Sequence, residues 1–314
     1  MKKLFYLLLV LTLAFPSLFI MAQDQVVTTP EEVVTARLEE FGLNLPRGYG
    51  LINAADLAGF LAAQDMVLLD VREPEEYEAG HMIGAFNVPI RTLSQNLDLL
   101  PDKTASIVVI CKGGGRAMLA ATSLEILGYE NVKVLKGGFD AWAGEELPTT
   151  TDVFTAEAGE MPEFDPDVYA AVDNYLTNLP QGFGLVSSTN LMAEYARSPL
   201  PESEGSVCCK SAHTEGDIKL DGESVLLDVR GEEEWATGYI AGANHLWINE
   251  FVNHLADLPA DLDTPIVVYC QSGYRGGIAA VMLNLLGYTN VRNLAGGVNA
   301  WVAAGLPLVG VPAS

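Results

Sequence analysis

Positive charge is scarce in this chain. Its 314 residues hold 17 Lys and Arg against 41 Asp and Glu, a formal net charge of -24. A surface of that sign repels phosphate backbones and anionic lipid, which excludes nucleic acid and acidic membrane faces as partners. An anionic small molecule must then be captured by a local cationic patch against the overall field. Cysteine is as sparse: Cys111, Cys208, Cys209 and Cys270 are too few for a disulfide scaffold of this length. There is no C-x-x-C pair and no H-E-x-x-H, and His81, His213, His245 and His254 do not fall at a metal-ligand spacing. Nothing in the pattern calls for a metal or a cofactor. Only one apolar run is long enough for a bilayer, and it lies at the start.

That run, "LFYLLLVLTLAFPSLFIMA", follows "MKK" and precedes the polar "QDQ". A short basic start, an apolar centre and a small residue at Ala22 read as a signal peptide over 1–22. The run also has the length of an uncleaved anchor, the alternative that Pro16 argues against. The expected location is extracytoplasmic, in a periplasm or its equivalent, with membrane attachment only if the segment is retained. In an oxidising compartment a free thiol needs a reason to persist.

The chain repeats itself at long period. "NLPRGYGLI" (44–52) returns as "NLPQGFGLV" (178–186), and "VLLDVREPEEYEAGHMIGA" (67–85) as "VLLDVRGEEEWATGYIAGA" (225–243). "LGYENVKVLKGGFDAW" (127–142) returns as "LGYTNVRNLAGGVNAW" (286–301). Asp70 to Asp228 is 158 residues and Cys111 to Cys270 is 159, whereas Gly50 to Gly184 is 134, so the second copy carries an insert of 24 residues before Asp228. The expected organisation is a first unit over 23–147 with a lead helix, a linker over 148–163, and a second unit over 164–314 with an insert near 200–223.

Within each copy the elements alternate. "MVLLDV" (66–71), "SIVVIC" (106–111) and "NVKVL" (131–135) are short and rich in β-branched residues, apolar on both sides, as suits central strands of a parallel sheet covered on both faces. Between them lie helical stretches, one from an expected Asn53 cap and one over 116–127 stopped by Gly128. The fold class is α/β, two open parallel sheets with right-handed crossovers. Sites in such sheets form beyond the carboxyl ends of the strands, where Cys111 and Cys270 fall.

Two loops carry the chemistry. Cys111 is followed by Lys112, Gly113, Gly114, Gly115 and Arg116; Cys270 by Gln271, Ser272, Gly273, Tyr274 and Arg275. Glycines let successive N–H groups curl into an anion-binding nest, and the helix that follows adds its positive end. A thiol at the centre of that ring is expected to lose its proton more readily, and the arginine to hold an anionic substrate through its planar fork. Such a site suits a soft electrophile, a sulfur bonded to another sulfur, kept as a persulfide and then passed on.

"LLDVREPEEYEAGHMIGAFNVP", a later C-x-x-G-x-R loop and "GGFDAW", with their second set "LLDVRGEEEWATGYIAGA", "CQSGYRGG" and "GGVNAW", resemble the rhodanese family of sulfurtransferases, as tandem domains. The resemblance implies a five-stranded parallel sheet with helices on both faces in each unit. It implies transfer of sulfane sulfur from an anionic donor, thiosulfate in the usual case, to cyanide, a thiol or a partner protein. Cys111 and Cys270 would be the nucleophiles, and the five residues after each the binding cradle. The chain departs from the family pattern in three ways: Ala117 and Gly276 stand where many members have serine, both copies keep the cysteine, and Tyr239 replaces His81 in the second copy.

Other readings of the same residues are a non-catalytic binding module, a persulfide carrier, or a cysteine phosphatase. The phosphatases of this fold have five residues between cysteine and arginine, and here there are four. Asp70–Arg72 and Asp228–Arg230 are expected to be structural pairs, as are His81, Trp142 and Trp301. The acidic stretches "REPEEYEAG" and "RGEEEWATG" read as solvated faces of short helices. Cys208, Cys209 and His213 in the insert lack a further ligand for a metal and read as an exposed loop.

Overall fold

The computed structural model describes residues 29–63, 65–197 and 224–311. The leader over 1–22 and the insert with Cys208, Cys209 and His213 lie outside the described residues.

The strands, in chain order, are β1 (Leu51–Ile52), β2 (Val67–Asp70), β3 (His81–Met82), β4 (Phe86–Asn87), β5 (Ser106–Ile110), β6 (Asn131–Leu135) and β7 (Thr149–Thr150). The second copy supplies β8 (Leu185–Val186), β9 (Val225–Asp228), β10 (Ala243–His245), β11 (Ile266–Tyr269) and β12 (Val291–Leu294). Two five-stranded sheets result, in the orders β1-β6-β5-β2-β4 and β10-β9-β11-β12-β8. Every pairing within them is parallel. The runs read as central strands occupy the middle of the first sheet. The edge strands β1 and β4 have two residues each, too short for a periodicity to register.

Both faces of each sheet are covered. Ile107 and Val109 of β5 enter one apolar cluster, Val108 and Ile110 the other. All four side chains are fully buried, each stabilising the fold by about 1.5–3 kcal/mol. Val268 of β11 joins the same cluster as Ile107, so one core runs continuously between the two sheets. The helices after the two cysteine loops, Gly115–Ile126 and Tyr274–Leu285, meet there, and Met118 lies against Gly277.

The lead helices bind the copies together. Pro30–Leu43 starts in a Thr29/Glu32 capping box, and its Arg37 donates to the terminal carbonyls of Glu125 and Ile126 in its own copy. Its far end reaches the second copy, where a Cβ on Gly42 would meet Val252 at 2.3 Å. The second lead helix, Pro166–Thr177, packs back on the first copy: Ser94 Oγ donates to Asp173 at 2.7 Å and the Tyr169 hydroxyl to the Ser94 carbonyl at 3.1 Å.

The stretch read as a linker is tied along the first copy. Thr149–Thr150 pairs antiparallel with His81–Met82, and Gly159 N–H donates to the Asp98 carbonyl. His81 is fully buried, stacked on Tyr77 at 3.7 Å, with its ring nitrogens on the carbonyls of Tyr77 and Asp152. Trp142 and Trp301 are buried anchors, each donating to a proline carbonyl, Pro148 and Pro307. Asn53 does stand at the N-cap of Ala54–Leu61, but its side chain makes no cap hydrogen bond and donates instead to Asp56.

Candidate active site

β5 ends at Ile110 and the chain turns at once through Lys112 to Gly114 into the helix Gly115–Ile126. Gly114 has φ 94°, a left-handed value that favours glycine, and its N–H points back at Cys111 Sγ at 3.1 Å. Gly273 repeats this in the second loop with φ 90° and the same 3.1 Å to Cys270 Sγ. Both cysteines are free and buried.

The paired glycines before each tryptophan do more than turn the chain. Phe139 and Asp140 N–H donate to the carbonyls of Cys111 and Lys112, at 2.7 and 3.0 Å. Val298 and Asn299 do the same to Cys270 and Gln271, at 2.9 and 3.0 Å. Only glycine permits that approach: a Cβ on Gly138 would lie 2.3 Å from the Cys111 carbonyl oxygen, and one on Gly297 2.1 Å from that of Cys270. The clamp occupies the loop carbonyls and leaves its amides for the thiol and for a ligand.

The expectation of an acidic thiol does not hold at Cys111. Burial pushes that thiol up; the N–H groups of Ala117, Gly114 and Gly113 and the charge of Arg116 pull the other way without overcoming it. The loss of water outweighs the ring of donors.

The loop arginines are also placed differently from expectation. Arg116 gives both arms of its guanidinium to Glu76, at 2.5 and 2.8 Å, and Arg275 gives both to Glu234, at 2.5 and 2.6 Å. Neither fork is left for a ligand; the charge remains beside the thiol, but the donors are spent on a carboxylate of the fold. This corrects the reading of the acidic stretches at those two glutamates, while Glu75 and Glu78 stay exposed. The Arg116 fork holds the Glu76 carboxyl below the usual range. At Glu234 burial acts upward and Arg275 overcomes it. The signal was present in the spacing: Glu76 and Glu234 sit three residues after the helix N-caps Glu73 and Gly231, and each accepts the N–H of its cap.

Asp70–Arg72 and Asp228–Arg230 are wholly internal. Each arginine takes both carboxylate oxygens of its aspartate and two backbone carbonyls, of Glu76 and Gly80 or of Glu234 and Gly238. Removing one partner of such a pair costs about 3–5 kcal/mol, a structural role.

Residues of both loops line one cavity. A cavity of about 370 Å³ is lined by Cys111, Lys112 and Arg116 of the first copy together with Phe183, Ser272 and Tyr274 of the second. Lys112 is exposed and makes no ion pair among the described residues. Gln271, its counterpart, is tied to Asn299 at 2.6 Å and to Arg230. Tyr274 reaches across from its own loop to the first copy. Its ring packs over Gly114, and its oxygen accepts the Gly137 N–H at 2.7 Å. Phe183 lies over Arg116 and, in return, Tyr49 over Arg275; both aromatics are held at positive φ, 60° and 57°. Bulky residues in that conformation persist only where the surroundings hold them. Sequence reading missed this exchange, because nothing in the spacing says which turn faces which loop.

The rhodanese-like domain matches residues 53–145 and 214–304. The chain belongs to the rhodanese-like family. It is 24% identical over 271 residues to the thiosulfate sulfurtransferase of Azotobacter vinelandii, covering 80% of this chain and 93% of that protein. To the thiosulfate sulfurtransferase of Pseudomonas aeruginosa it is 26% identical over 273 residues, with the same shares of 80% and 93%. A shorter stretch of 103 residues, 28% of this chain, is 40% identical to thiosulfate sulfurtransferase 16, chloroplastic, of Arabidopsis thaliana and covers 86% of it. Among solved structures, the 3-mercaptopyruvate sulfotransferase SseA of Escherichia coli is similar at 18% identity with a TM-score of 0.36, over 79% of this chain and 98% of that one. Both rhodanese-like domains of this chain retain a cysteine at the loop, and both sheets have the parallel order given above.

Proposed function

We propose that the protein is a rhodanese-type sulfurtransferase in which Cys111 carries the sulfur, with thiosulfate as a donor and cyanide or a thiol as acceptor. The observation that carries this reading is the position of Cys111. It lies at the carboxyl end of a central strand, its sulfur takes the Gly114 N–H, and it lines a cavity beside Lys112, which has no ion-pair partner among the described residues. The names and coverage of the full-length relatives support the same reading.

In the first half-reaction the Cys111 thiolate attacks the outer sulfur of thiosulfate. A new S–S bond forms to Cys111, the S–S bond to the sulfonate breaks, and sulfite leaves with the electron pair. In the second, cyanide attacks the outer sulfur of the persulfide, thiocyanate leaves, and the thiolate returns. Because burial disfavours the free thiolate, approach of the Lys112 ammonium and the loop amides to bound anion must share in holding negative charge. The Cys270 loop, with Gln271 tied back, has less to offer a dianion.

Intact mass after exposure to thiosulfate, with peptide mapping, tests the proposal. One added sulfur on Cys111, removed by cyanide with thiocyanate released, is the expected result. No added sulfur favours a binding module. Added sulfur that cyanide leaves in place but a partner thiol removes favours a carrier. Hydrolysis of an aryl phosphate would favour the phosphatase reading.

A further inference from the structure

We infer that Tyr274, which belongs in sequence to the Cys270 loop, is a substrate-positioning residue of the Cys111 site, donating its hydroxyl proton to the oxyanion end of a sulfonate-bearing sulfur donor. This rests on the proposed sulfur transfer at Cys111.

Three observations place it there. Tyr274 lines the same cavity as Cys111, and its hydroxyl lies 2.5 Å from where a Cβ on Gly114 would stand, directly behind the amide that contacts Cys111 Sγ. Glycine at 114 is therefore required twice, by its backbone angle and by the tyrosine above it. Second, the hydroxyl oxygen already accepts the Gly137 N–H at 2.7 Å, which fixes the phenol and leaves its single proton for an acceptor. No acceptor for that proton is found among the described residues, and the residue as a whole is 8% exposed. An O–H at the wall of the cavity with no protein acceptor among the described residues is available to a bound anion. Third, the position is asymmetric. Its counterpart in the first loop is Gly115, which has no side chain to send back toward Cys270. Each copy lays an aromatic over the other's loop arginine, but only the second loop sends a tyrosine of its own into the facing site.

The chemistry selects the ligand class. A donor whose far end is a sulfonate presents several oxygens that accept hydrogen bonds, whereas the transferred sulfur must lie toward Cys111. Lys112 approaches that sulfonate from the first domain and Tyr274 from the second, with Ser272 beside it. An uncharged sulfane-sulfur donor gains nothing from the hydroxyl.

The test uses the full chain in a Cys270→Ser background, so that turnover reports on Cys111. Tyr274→Phe is expected to raise KM for thiosulfate about ten-fold, the order of one hydrogen bond to a charged group, with kcat changed less than about two-fold. Turnover with dimethyl trisulfide, an uncharged donor, should not change. A purely structural tyrosine would lower both donors alike or neither, and either result overturns the inference. Binding is measured separately by titrating sulfite into a Cys111→Ser, Cys270→Ser protein with Tyr or Phe at 274. The expected result is binding about ten-fold weaker with Phe; equal binding, or none with Tyr, overturns the inference whatever the turnover shows. Absence of any added sulfur on Cys111 while sulfite binding still depends on Tyr274 would defeat the transfer reading alone.

Discussion

At one position the first loop has Gly115 and the second has Tyr274; beside each cysteine the first has Lys112 and the second Gln271. The backbones that carry these residues are nearly the same, down to the 3.1 Å contact between glycine amide and sulfur and the clamp of the following glycine pair. The side chains divide the labour. Lys112 stands exposed at the cavity, Gln271 is bonded inward, and Tyr274 crosses to the other domain. The two copies share one loop geometry, and a few side chains differ in what they present to the cavity.

The sharpest way to break this comparison is to remove each nucleophile. Cys111→Ser should lower thiosulfate turnover by roughly a thousand-fold or more, and Cys270→Ser by a few-fold at most. Steady-state assay of cyanide-dependent sulfite release reads both. If Cys270 alone supports the activity, the ranking of the loops is reversed. Exchanging the neighbouring charge is the next test: Lys112→Gln should raise KM for thiosulfate about ten-fold, and Gln271→Lys should recover part of it only in a protein that keeps Cys270. An unchanged KM in Lys112→Gln would mean that the ammonium takes no part.

A smaller effect follows from burial. Because the Cys111 thiol is pushed up, its alkylation by iodoacetamide should keep rising beyond the ordinary thiol value of about 8.5, where a free cysteine levels off. Peptide mapping of alkylated Cys111 across alkaline pH gives the profile, and a plateau below that value would show that the amide ring outweighs desolvation after all.

The smallest expected effect is on stability. Glu125, at the end of the helix after the first loop, is pushed up to about 8 by burial, with Lys133 opposing; its counterpart in the second copy is Asn284, which donates to Ala280. A carboxyl raised in the folded state binds its proton more tightly than in the unfolded chain. Its contribution is therefore complete below the unfolded value of 4.5 and is lost as pH rises to about 8. Glu125→Gln should flatten the fall in Tm over that window by a few degrees. Thermal melts at several pH values check it, and an unaltered slope would place the loss elsewhere.

Much of the site is legible in the amino-acid sequence. The runs ending at Asp70, Ile110 and Leu135 are apolar on both sides because both faces of a parallel sheet are covered, and that pattern survives in one sequence. Gly114 and Gly273 could be read as turn residues, and the cysteines as loop residues at strand ends. The roles of Arg116 and Arg275 could not, since an arginine beside a thiol can face a ligand or a carboxylate equally well, and Glu76 lies 40 residues away. Nor could the proton affinity of Cys111, which depends on how completely the fold buries it.

The amino-acid order alone determined two copies of one α/β unit, the strand-end placement of each thiol and the glycines that let the chain bend around it, because these follow from local periodicity and backbone freedom. The facing of the loops, the crossing of Tyr274 and Phe183, and the capture of the arginine forks were decided only by packing the two units on a shared core. They are contacts between residues far apart in the chain, and no local preference encodes them.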